Sequence, residues 1–245
     1  MSAPQDIVLI TGAGSGIGRG LARAFHARGA QVIAAGRSLP GLRETASGCD
    51  GMAVELVDVA DAASITALAG RIAQTHPRLN MVISNAGLQQ VLDFRAGAVD
   101  PARIALEVQT NLTGLIQTSA AFLPLLQRQE KARLVHVGST LAYVPLAQAP
   151  VYSATKSAVH SFSISLRQQL KGTDVQVVEI IPPAVETALH RGQDRKPPGA
   201  LPLETFISAA MAGLESGRDE VAVGLARVLR IMSRVAPGLF LKIVN

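Results

Sequence analysis

The sequence predicts one α/β domain over residues 1–245, built on a doubly wound parallel sheet of about seven strands with helices on both faces. Two observations support this fold. Short apolar runs alternate with helical stretches along the chain, as in repeated strand–helix–strand units. No internal repeat and no linker rich in Pro, Ser or Gly divides the 245 residues, and a chain of this length can bury one large core.

Seven short apolar runs are predicted as the strands of this sheet. Each is four to eight residues long, which suits a strand buried in a parallel sheet. In chain order they cover residues 7–10, 31–35, 52–56, 81–84, 133–137, 174–181 and 220–223.

Helices are predicted between these strands. The first has Leu21, Ala24 and Phe25 on one side, and Asp100-Pro101 provides an N-cap acid followed by proline for a later one. Further helices are predicted over residues 40–46, 62–74, 101–127 and 203–214, and one opens near Tyr152. Asn111 lies in an apolar stretch of the predicted 101–127 helix, where a buried amide needs a hydrogen-bond partner.

A glycine-rich turn joins the first strand to the first helix. Gly12, Gly16 and Gly18 fit the pattern G-x-x-x-G-x-G, whereas G-x-G-x-x-G fails in every frame and no P-loop Gly-Lys-Ser/Thr follows. A turn between strand and helix presents backbone N–H groups and the positive helix end to a phosphate. The pattern predicts a dinucleotide pyrophosphate site, and a flexible turn without a ligand is the alternative.

The end of the second predicted strand indicates which dinucleotide binds. An acid near this position hydrogen-bonds the adenosine ribose hydroxyls of NAD, while an arginine accommodates the 2′-phosphate of NADP. Here Gly36-Arg37 follows the strand and no acid is present. We therefore predict NADP(H), with NAD(H) possible if Arg37 is a solvated surface residue.

Tyr152 and Lys156 form the candidate catalytic pair. Their four-residue spacing puts both on one helix face, and a lysine cation close by lowers the tyrosine pKa. Proton transfer at pH ~7 requires a shift of about three units from the usual ~10, which is more than one ammonium is expected to supply. Decoration of a helix surface is the alternative interpretation of the pair alone.

Composition excludes several other classes. The net charge is +5, but the basic residues are dispersed and two Tyr with no Trp offer little stacking surface, so nucleic-acid binding is not expected. The single cysteine, Cys49, excludes an internal disulfide and a multi-cysteine metal site. We expect no metal and, without a secretory signal or an apolar run of about eighteen residues, a cytoplasmic location.

Taken together, the motifs resemble those of the short-chain dehydrogenase/reductase family over about residues 6–187, and the tail is similar to the branch of DltE-like oxidoreductases. Such proteins have a Rossmann-type fold. The matching residues are Thr11, Gly12, Gly16 and Gly18 for T-G-x-x-x-G-x-G, Asn85, Ala86 and Gly87 for N-A-G, and Asn111, Ser139, Tyr152 and Lys156 for the active site.

The resemblance implies a catalytic role for four of these residues. Tyr152 would exchange a proton with the substrate oxygen while the nicotinamide exchanges hydride at the carbon. Ser139 would hold that oxygen by a placed hydrogen bond. Lys156 would lower the tyrosine pKa and hold the nicotinamide ribose, and Asn111 would anchor a water that relays protons. The oxidised nicotinamide would supply more of the tyrosine shift.

The resemblance also implies a set of cofactor contacts, with Asp58 near the adenine and Thr187 near the carboxamide. The chain departs from the family pattern twice: Pro182-Pro183 replaces Pro-Gly, and Ser15 stands where many NADP-preferring members carry a basic residue. The NADP(H) prediction therefore depends on Arg37. The expected contacts are Gly12, Ser15, Gly16, Ile17, Gly18, Arg37, Asp58, Val59, Asn85, Ala86, Gly87, Tyr152, Lys156, Pro182, Val185 and Thr187.

Substrate and assembly are less tightly constrained by the sequence. We expect an apolar pocket border, a mobile lid over residues 187–202 and a C-terminal extension over 225–245 that packs or makes a dimer contact, with membrane contact as the alternative. The lid's Arg191, Arg195 and Lys196 could instead meet an acidic group. We expect a homodimer or homotetramer. The expected pocket border is Leu141, Tyr143, Val144, Pro145 and Leu146.

The function predicted from these features is an NAD(P)-dependent oxidoreductase that acts on a carbonyl or secondary alcohol. The alternative is a non-enzymatic dinucleotide-binding sensor or scaffold with the same fold. Such a protein could dispense with Tyr152 or Lys156, and both are present.

Overall fold

Seven strands form one parallel sheet in the computed structural model, which describes residues 6–187, 189, 199–235, 238 and 241. The order of the strands is β3-β2-β1-β4-β5-β6-β7, so the winding direction reverses between β1 and β4. This confirms the doubly wound, Rossmann-type prediction and puts a ligand-binding crevice outside the carboxyl ends of β1 and β4. The strands are β1 (Ile7–Thr11), β2 (Gln31–Gly36), β3 (Ala53–Leu56), β4 (Met81–Ser84), β5 (Ala132–Val137), β6 (Val175–Ile181) and β7 (Glu220–Ala222).

Eight α-helices are found within the same residues. Several begin at a side chain that accepts a hydrogen bond from the first helical turn, as Ser38, Asp61 and Asp100 do. The helices are α1 (Gly16–Ala27), α2 (Leu39–Ala46), α3 (Ala62–Thr75), α4 (Pro101–Val108), α5 (Gly114–Leu126), α6 (Pro150–Gln169), α7 (Leu203–Glu215) and α8 (Ala226–Val235).

The core lies in two layers, one on each face of the sheet. Alternate residues of the strands point to opposite faces, so Val8 and Ile10 join one layer while Ile7 and Leu9 join the other. Helices α1, α2 and α7 cover the first layer, and α3, α5 and α6 cover the second. Helices therefore cover both faces of the sheet. A ligand site is expected at the edge formed by the carboxyl ends of the strands.

The single helix predicted over residues 101–127 is in fact two. A wider π-helical turn, Gln109–Thr113, separates α4 from α5. Two long-range contacts hold it: Asn111 bonds to the backbone of Leu88, and Gly114 packs so closely on the Val59 carbonyl that a Cβ would overlap the oxygen. Neither contact is visible in the local pattern, and such turns are frequent at functional sites.

The C-terminal region forms a helix that the pattern analysis did not assign. Helix α8 has arginines at positions 227, 230 and 234, a helical spacing that could have predicted it. Of the predicted lid, residues 188 and 190–198 lie outside the described residues, and with them Arg191, Arg195 and Lys196. The same holds for 236–237, 239–240 and 242–245 of the predicted extension. In the described part of the chain, no helix is both long and apolar enough to span a bilayer.

Candidate active site

The turn between β1 and α1 forms one end of a long cleft at the carboxyl edge of the sheet. Gly12 and Gly16 have φ angles of 66° and 52°, in the left-handed region that favours glycine. The side chain of Ser15, the residue before α1, does not cap the helix. The first N–H groups of α1 are therefore available to an anion at the positive helix end, which fits a pyrophosphate.

Thr11 and Asn85 tie this turn to the segment after β4. The Thr11 hydroxyl accepts hydrogen bonds from the backbone N–H groups of Asn85 and Ala86, each at 3.1 Å. The Asn85 amide donates to the Thr11 carbonyl at 3.0 Å and to the Gly12 carbonyl at 3.3 Å. These hydrogen bonds join the T-G and N-A-G motifs between β1 and β4, where the winding direction of the sheet reverses.

Arg37 lies at the end of β2, is exposed and lines the cleft. The other arginine nearby, Arg19, is already engaged, because its guanidinium pairs with Glu44 at 2.5 Å and donates to the Gly14 carbonyl at 2.6 Å. Asp93 is the acid among the described residues that line the cleft. It lies in the segment after β4 and pairs there with Arg95. Arg37 is the cation best placed to meet a phosphate at this end.

The cleft has a volume of about 2070 Å³, more than the ~300–1,000 Å³ usual for one ligand. Two of the expected cofactor contacts do not line it. Gly18 packs its Cα against the Gly12 carbonyl and so closes the turn, and the Asp58 carboxylate accepts from the Ala60 N–H at 2.9 Å. The expected contacts that do line it are Gly12, Ser15, Gly16, Ile17, Arg37, Val59, Asn85, Ala86, Gly87, Tyr152, Lys156, Pro182, Val185 and Thr187.

Ser139, Tyr152 and Lys156 meet at the other part of the cleft. Ser139 follows β5, and the two other residues lie in the first turns of α6, which begins at Pro150. The Tyr152 side chain hydrogen-bonds that of Ser139, and the Lys156 ammonium lies 5.6 Å from the centre of the tyrosine ring. The structure brings these three predicted residues together beside Gly87.

The protein's own groups do not lower the Tyr152 pKa as expected from the spacing. Burial raises the pKa of Tyr152 to about 12, the hydrogen bond from Ser139 opposes this rise, and the charge of Glu107 adds to it. In the protein without a cofactor the pKa of Tyr152 thus lies above its usual value rather than below it as expected, because the phenol is buried. At neutral pH the phenol carries its proton.

Lys156 is buried, and its ammonium donates to the Val137 carbonyl at 2.7 Å. Burial lowers the pKa of Lys156 to about 8, and the negative charge of Glu179 raises it in opposition. Lys156 is thus near the midpoint of its titration at mildly alkaline pH, so small changes in its surroundings change its charge.

Asn111 is buried in the π-helical turn and does not itself line the cleft. Its carbonyl accepts from the Leu88 N–H at 2.9 Å, and its amide donates to the Leu88 carbonyl at 2.8 Å and to Thr155 at 3.3 Å. These bonds use the side chain to fix the segment after β4. A Cβ on Gly87 would lie 3.3 Å from the Asn111 carbonyl oxygen and 4.0 Å from the Lys156 nitrogen, so Gly87 lets both approach.

The Pro182-Pro183 segment directly follows β6 and lines the cleft. The Pro182 carbonyl accepts from the Thr140 N–H at 3.0 Å, which ties the end of β6 to the serine turn. Lys131 is the one residue other than glycine with a positive φ in the described chain. Neither Pro182 nor Pro183 therefore lies in the left-handed region of φ.

Apolar side chains from three segments wall the part of the cleft beside Tyr152. Of the expected border, Leu141, Val144 and Leu146 line the cleft, whereas Tyr143 and Pro145 do not. The Tyr143 ring packs edge-on against His160, with 4.8 Å between ring centres, which turns it away. The two other walls were not predicted: they consist of Leu88, Val91, Leu92 and Phe94 after β4, and Leu225, Val228 and Leu229 at the start of α8.

Two buried carboxylates near the site were also missed. Glu107 accepts from the Gln90 N–H at 3.1 Å, and Glu179 bonds to His160 at 2.6 Å. Burial raises the pKa of Glu107. A charged residue inside an apolar run, as Glu179 is inside β6, was the sequence signal that could have identified one of them.

No group of three or more His, Cys, Asp and Glu side chains suited to a metal occurs among the described residues.

Comparison with known proteins adds to this geometry. A family model described as short chain dehydrogenase matches residues 6–197. The uncharacterized oxidoreductase DltE of Bacillus subtilis is 36% identical over 238 residues, covering 96% of this chain and 94% of DltE. An uncharacterized oxidoreductase of Staphylococcus aureus (strain N315) is 32% identical over 200 residues, covering 78% of this chain and 84% of its own.

Solved structures agree over nearly the whole chain. A short-chain dehydrogenase of Burkholderia cenocepacia in complex with NADP superposes with a TM-score of 0.85 at 26% identity, covering 98% of this chain and 97% of its own. A short-chain dehydrogenase of Sphingobium yanoikuyae in complex with NADPH gives 0.83 at 26% identity, covering 96% and 94%. One from Burkholderia phymatum in complex with NAD gives 0.85 at 19% identity, covering 98% and 96%, and shows the fold alone.

Proposed function

Because the chain belongs to the short-chain dehydrogenase/reductase family, in the branch that includes DltE, we propose that it transfers hydride between NADP(H) and an apolar carbonyl compound or secondary alcohol. One observation carries this proposal. Ser139, Tyr152 and Lys156 converge in the same cleft that begins at the glycine turn and Arg37. The turn's geometry suits the pyrophosphate, and the cleft volume of about 2070 Å³ leaves room for a second molecule.

The residues of the chain would handle the proton and the oxygen. When bound, the nicotinamide supplies or accepts the hydride at the substrate carbon. Tyr152 would donate its proton to a carbonyl oxygen. Burial holds its pKa at about 12, so this role requires positive charge near the phenol to bring that pKa closer to the working pH. Ser139 bonds to the same phenol and would hold that oxygen in place, and Lys156 would favour the phenolate that remains.

Arg37 supports NADP(H) as the cofactor. It is exposed at the end of β2, and no acid follows that strand to bind the ribose hydroxyls. A cation at this place favours a 2′-phosphate, so we propose NADP(H) over NAD(H).

The walls beside Tyr152 support an apolar substrate. Val91, Phe94, Leu225 and Val228 all line the cleft while remaining between 44% and 63% exposed. Large apolar side chains left exposed along one cleft are typical of a ligand-binding surface. We propose a carbonyl compound whose apolar body reaches past Tyr152 to these residues.

A substrate screen tests the proposed function. Oxidation of NADPH is followed by absorbance with methyl ketones of increasing alkyl length and with oxo acids of matched length. We expect turnover that rises with alkyl length and is weaker for the oxo acids. A protein that binds NADPH but oxidises it with none of these compounds would be the sensor or scaffold. A protein that binds neither nicotinamide cofactor would contradict both functions.

The homodimer or homotetramer stays a prediction. The small-residue side of α6, which includes Ala154, Ser161 and Ser165, is exposed in the single chain and is available to a second copy.

A further inference from the structure

A stripe of polar residues runs along the face of α6 that lies on the sheet. This polar side of α6 differs from the exposed side of the helix that carries small residues, and its role is visible only with β5 and β6 beneath it. Each member bonds to a group of these strands: the Lys156 ammonium to the Val137 carbonyl, and Ser163 to the His136 ring at 2.8 Å. The members are Lys156, His160, Ser163 and Arg167.

Glu179 on β6 is the acid beneath this stripe. Its side chain is fully buried, and one carboxylate oxygen bonds to the Nδ1 atom of His160 at 2.6 Å. The other oxygen has no hydrogen-bond partner among the described residues. It lies against the backbone of Gly138, where a Cβ would overlap it.

Gly138 connects Glu179 to the catalytic residues. The residue before it, Val137, provides the carbonyl that holds Lys156, and the residue after it is Ser139. The Gly138 N–H donates to the Ile180 carbonyl at 2.8 Å, next to Glu179 on β6. Glu179 therefore lies directly behind the two backbone units that position the ammonium and the serine hydroxyl.

A buried carboxylate at this place needs a cation to compensate for lost hydration. The charge of Glu179 on β6 acts on Lys156, the charges of Lys156 and Arg167 act on His136 of β5, and the charge of Glu107 on α4 acts on Tyr152, whose ring centre lies 5.6 Å from the Lys156 ammonium. Burial lowers the pKa of His136 to about 3, so its ring is neutral. Glu179 is thus the anion that acts on the buried ammonium.

We propose that Glu179 is a positioning residue of this active site: held by His160, its buried carboxylate keeps Lys156 cationic and supports Gly138 between the lysine's acceptor and Ser139. This inference rests on the proposed role of Lys156 in the oxidoreductase. The proposal gives a role to the buried Glu179 carboxylate, which is not among the four expected catalytic residues. The carboxylate acts through Lys156 and does not reach the substrate.

The variant Glu179→Gln removes the charge and keeps the size and an oxygen for His160. We measure the pH dependence of kcat between pH 6 and 10. The alkaline limb of this pH profile, which is caused by loss of the Lys156 proton, should move to lower pH by about one unit. The reason is that a nearby opposite charge shifts a pKa by one to several units. Glu220→Gln is the matched control, since Glu220 is the register partner of Glu179 on β7, and its limb should stay unchanged.

Coincident alkaline limbs for Glu179→Gln and the unchanged protein would overturn the proposal. A second measurement needs no turnover and so separates this proposal from the proposed function. Lys156→Met leaves Glu179 buried without its ammonium, so the double variant Lys156→Met/Glu179→Gln should unfold at a higher denaturant concentration than Lys156→Met alone. This comparison holds even if Glu179→Gln alone does not fold. An equal or lower midpoint for the double variant would also overturn the proposal.

Discussion

Burial sets the acid–base properties of two side chains of the candidate site. It raises the pKa of Tyr152 to about 12 and lowers the pKa of Lys156 to about 8, although both residues line the cleft. Sequence spacing correctly paired the two residues but gave the wrong direction for the tyrosine pKa in the protein alone. The spacing carries no information on burial, which has the largest effect on the pKa of Tyr152.

The proposed preference for NADP(H) depends on Arg37. Arg37→Ala should weaken NADPH binding by about tenfold or more and leave NADH binding nearly unchanged, because a charge-assisted bond to a phosphate is worth roughly 1.5–3 kcal/mol. Fluorescence titration with both cofactors measures this. Arg43→Ala provides a control, since Arg43 lies on the nearby helix α2 and does not line the cleft. Equal effects of Arg37→Ala on both cofactors would make Arg37 a surface residue.

At the scale of elements, α6 joins the active site to the core. Its inner face places Lys156 and Ser163 over β5, and His136 of β5 lies between Ser119 of α5 at 3.0 Å and Ser163 at 2.8 Å. A buried ring in this place stays neutral, and protonation would leave a buried cation. The packing of α5 and α6 on the sheet should therefore depend on pH.

The depressed pKa of His136 has a stability consequence of definite sign. The folded state binds the proton at about pH 3 and the unfolded state near ~6.5, so the unfolded state holds more protons between these values. Unfolding free energy should fall by up to about 1.4 kcal/mol for each pH unit below ~6.5 on this account.

Denaturant unfolding of His136→Asn from pH 7 to 4.5 measures this contribution. The variant should lose less stability than the unchanged protein as the pH falls, because the histidine that takes up the proton is gone. His26→Asn, a histidine on α1, should follow the unchanged protein. Parallel curves for His136→Asn and the unchanged protein would show that His136 does not titrate with unfolding.

At the scale of the whole molecule, the order of the strands creates the cleft. Because the winding reverses between β1 and β4, the glycine turn and the N-A-G segment meet at one edge, and β5 brings Ser139 to the same edge. Periodicity and turn residues sufficed to predict this arrangement, since each buried parallel strand is a short apolar run and each strand end carries its motif. Ser139 was expected at a strand end in this way, whereas the roles proposed for Asn111, Tyr152 and Lys156 came from the resemblance to the family.

The features that sequence could not supply depend on long-range contacts. The π-helical turn at Asn111 is held by Leu88 and Val59, the polar side of α6 needs the sheet beneath it, and Tyr143 bonds to His160 and does not line the cleft. Leu88 lies 23 residues from Asn111 in the chain, and His160 lies 17 residues from Tyr143. Local patterns cannot show which distant residue a side chain meets.

The most direct test of the account is the turnover of Tyr152→Phe with NADPH and the best ketone of the substrate screen. The account predicts that kcat falls by roughly 10²–10⁴, because the general acid is lost, while the affinity for NADPH is retained. Phenylalanine keeps the buried ring, so the fold and the cleft should remain. Turnover at the rate of the unchanged protein would contradict the account, because the proton would then come from another group.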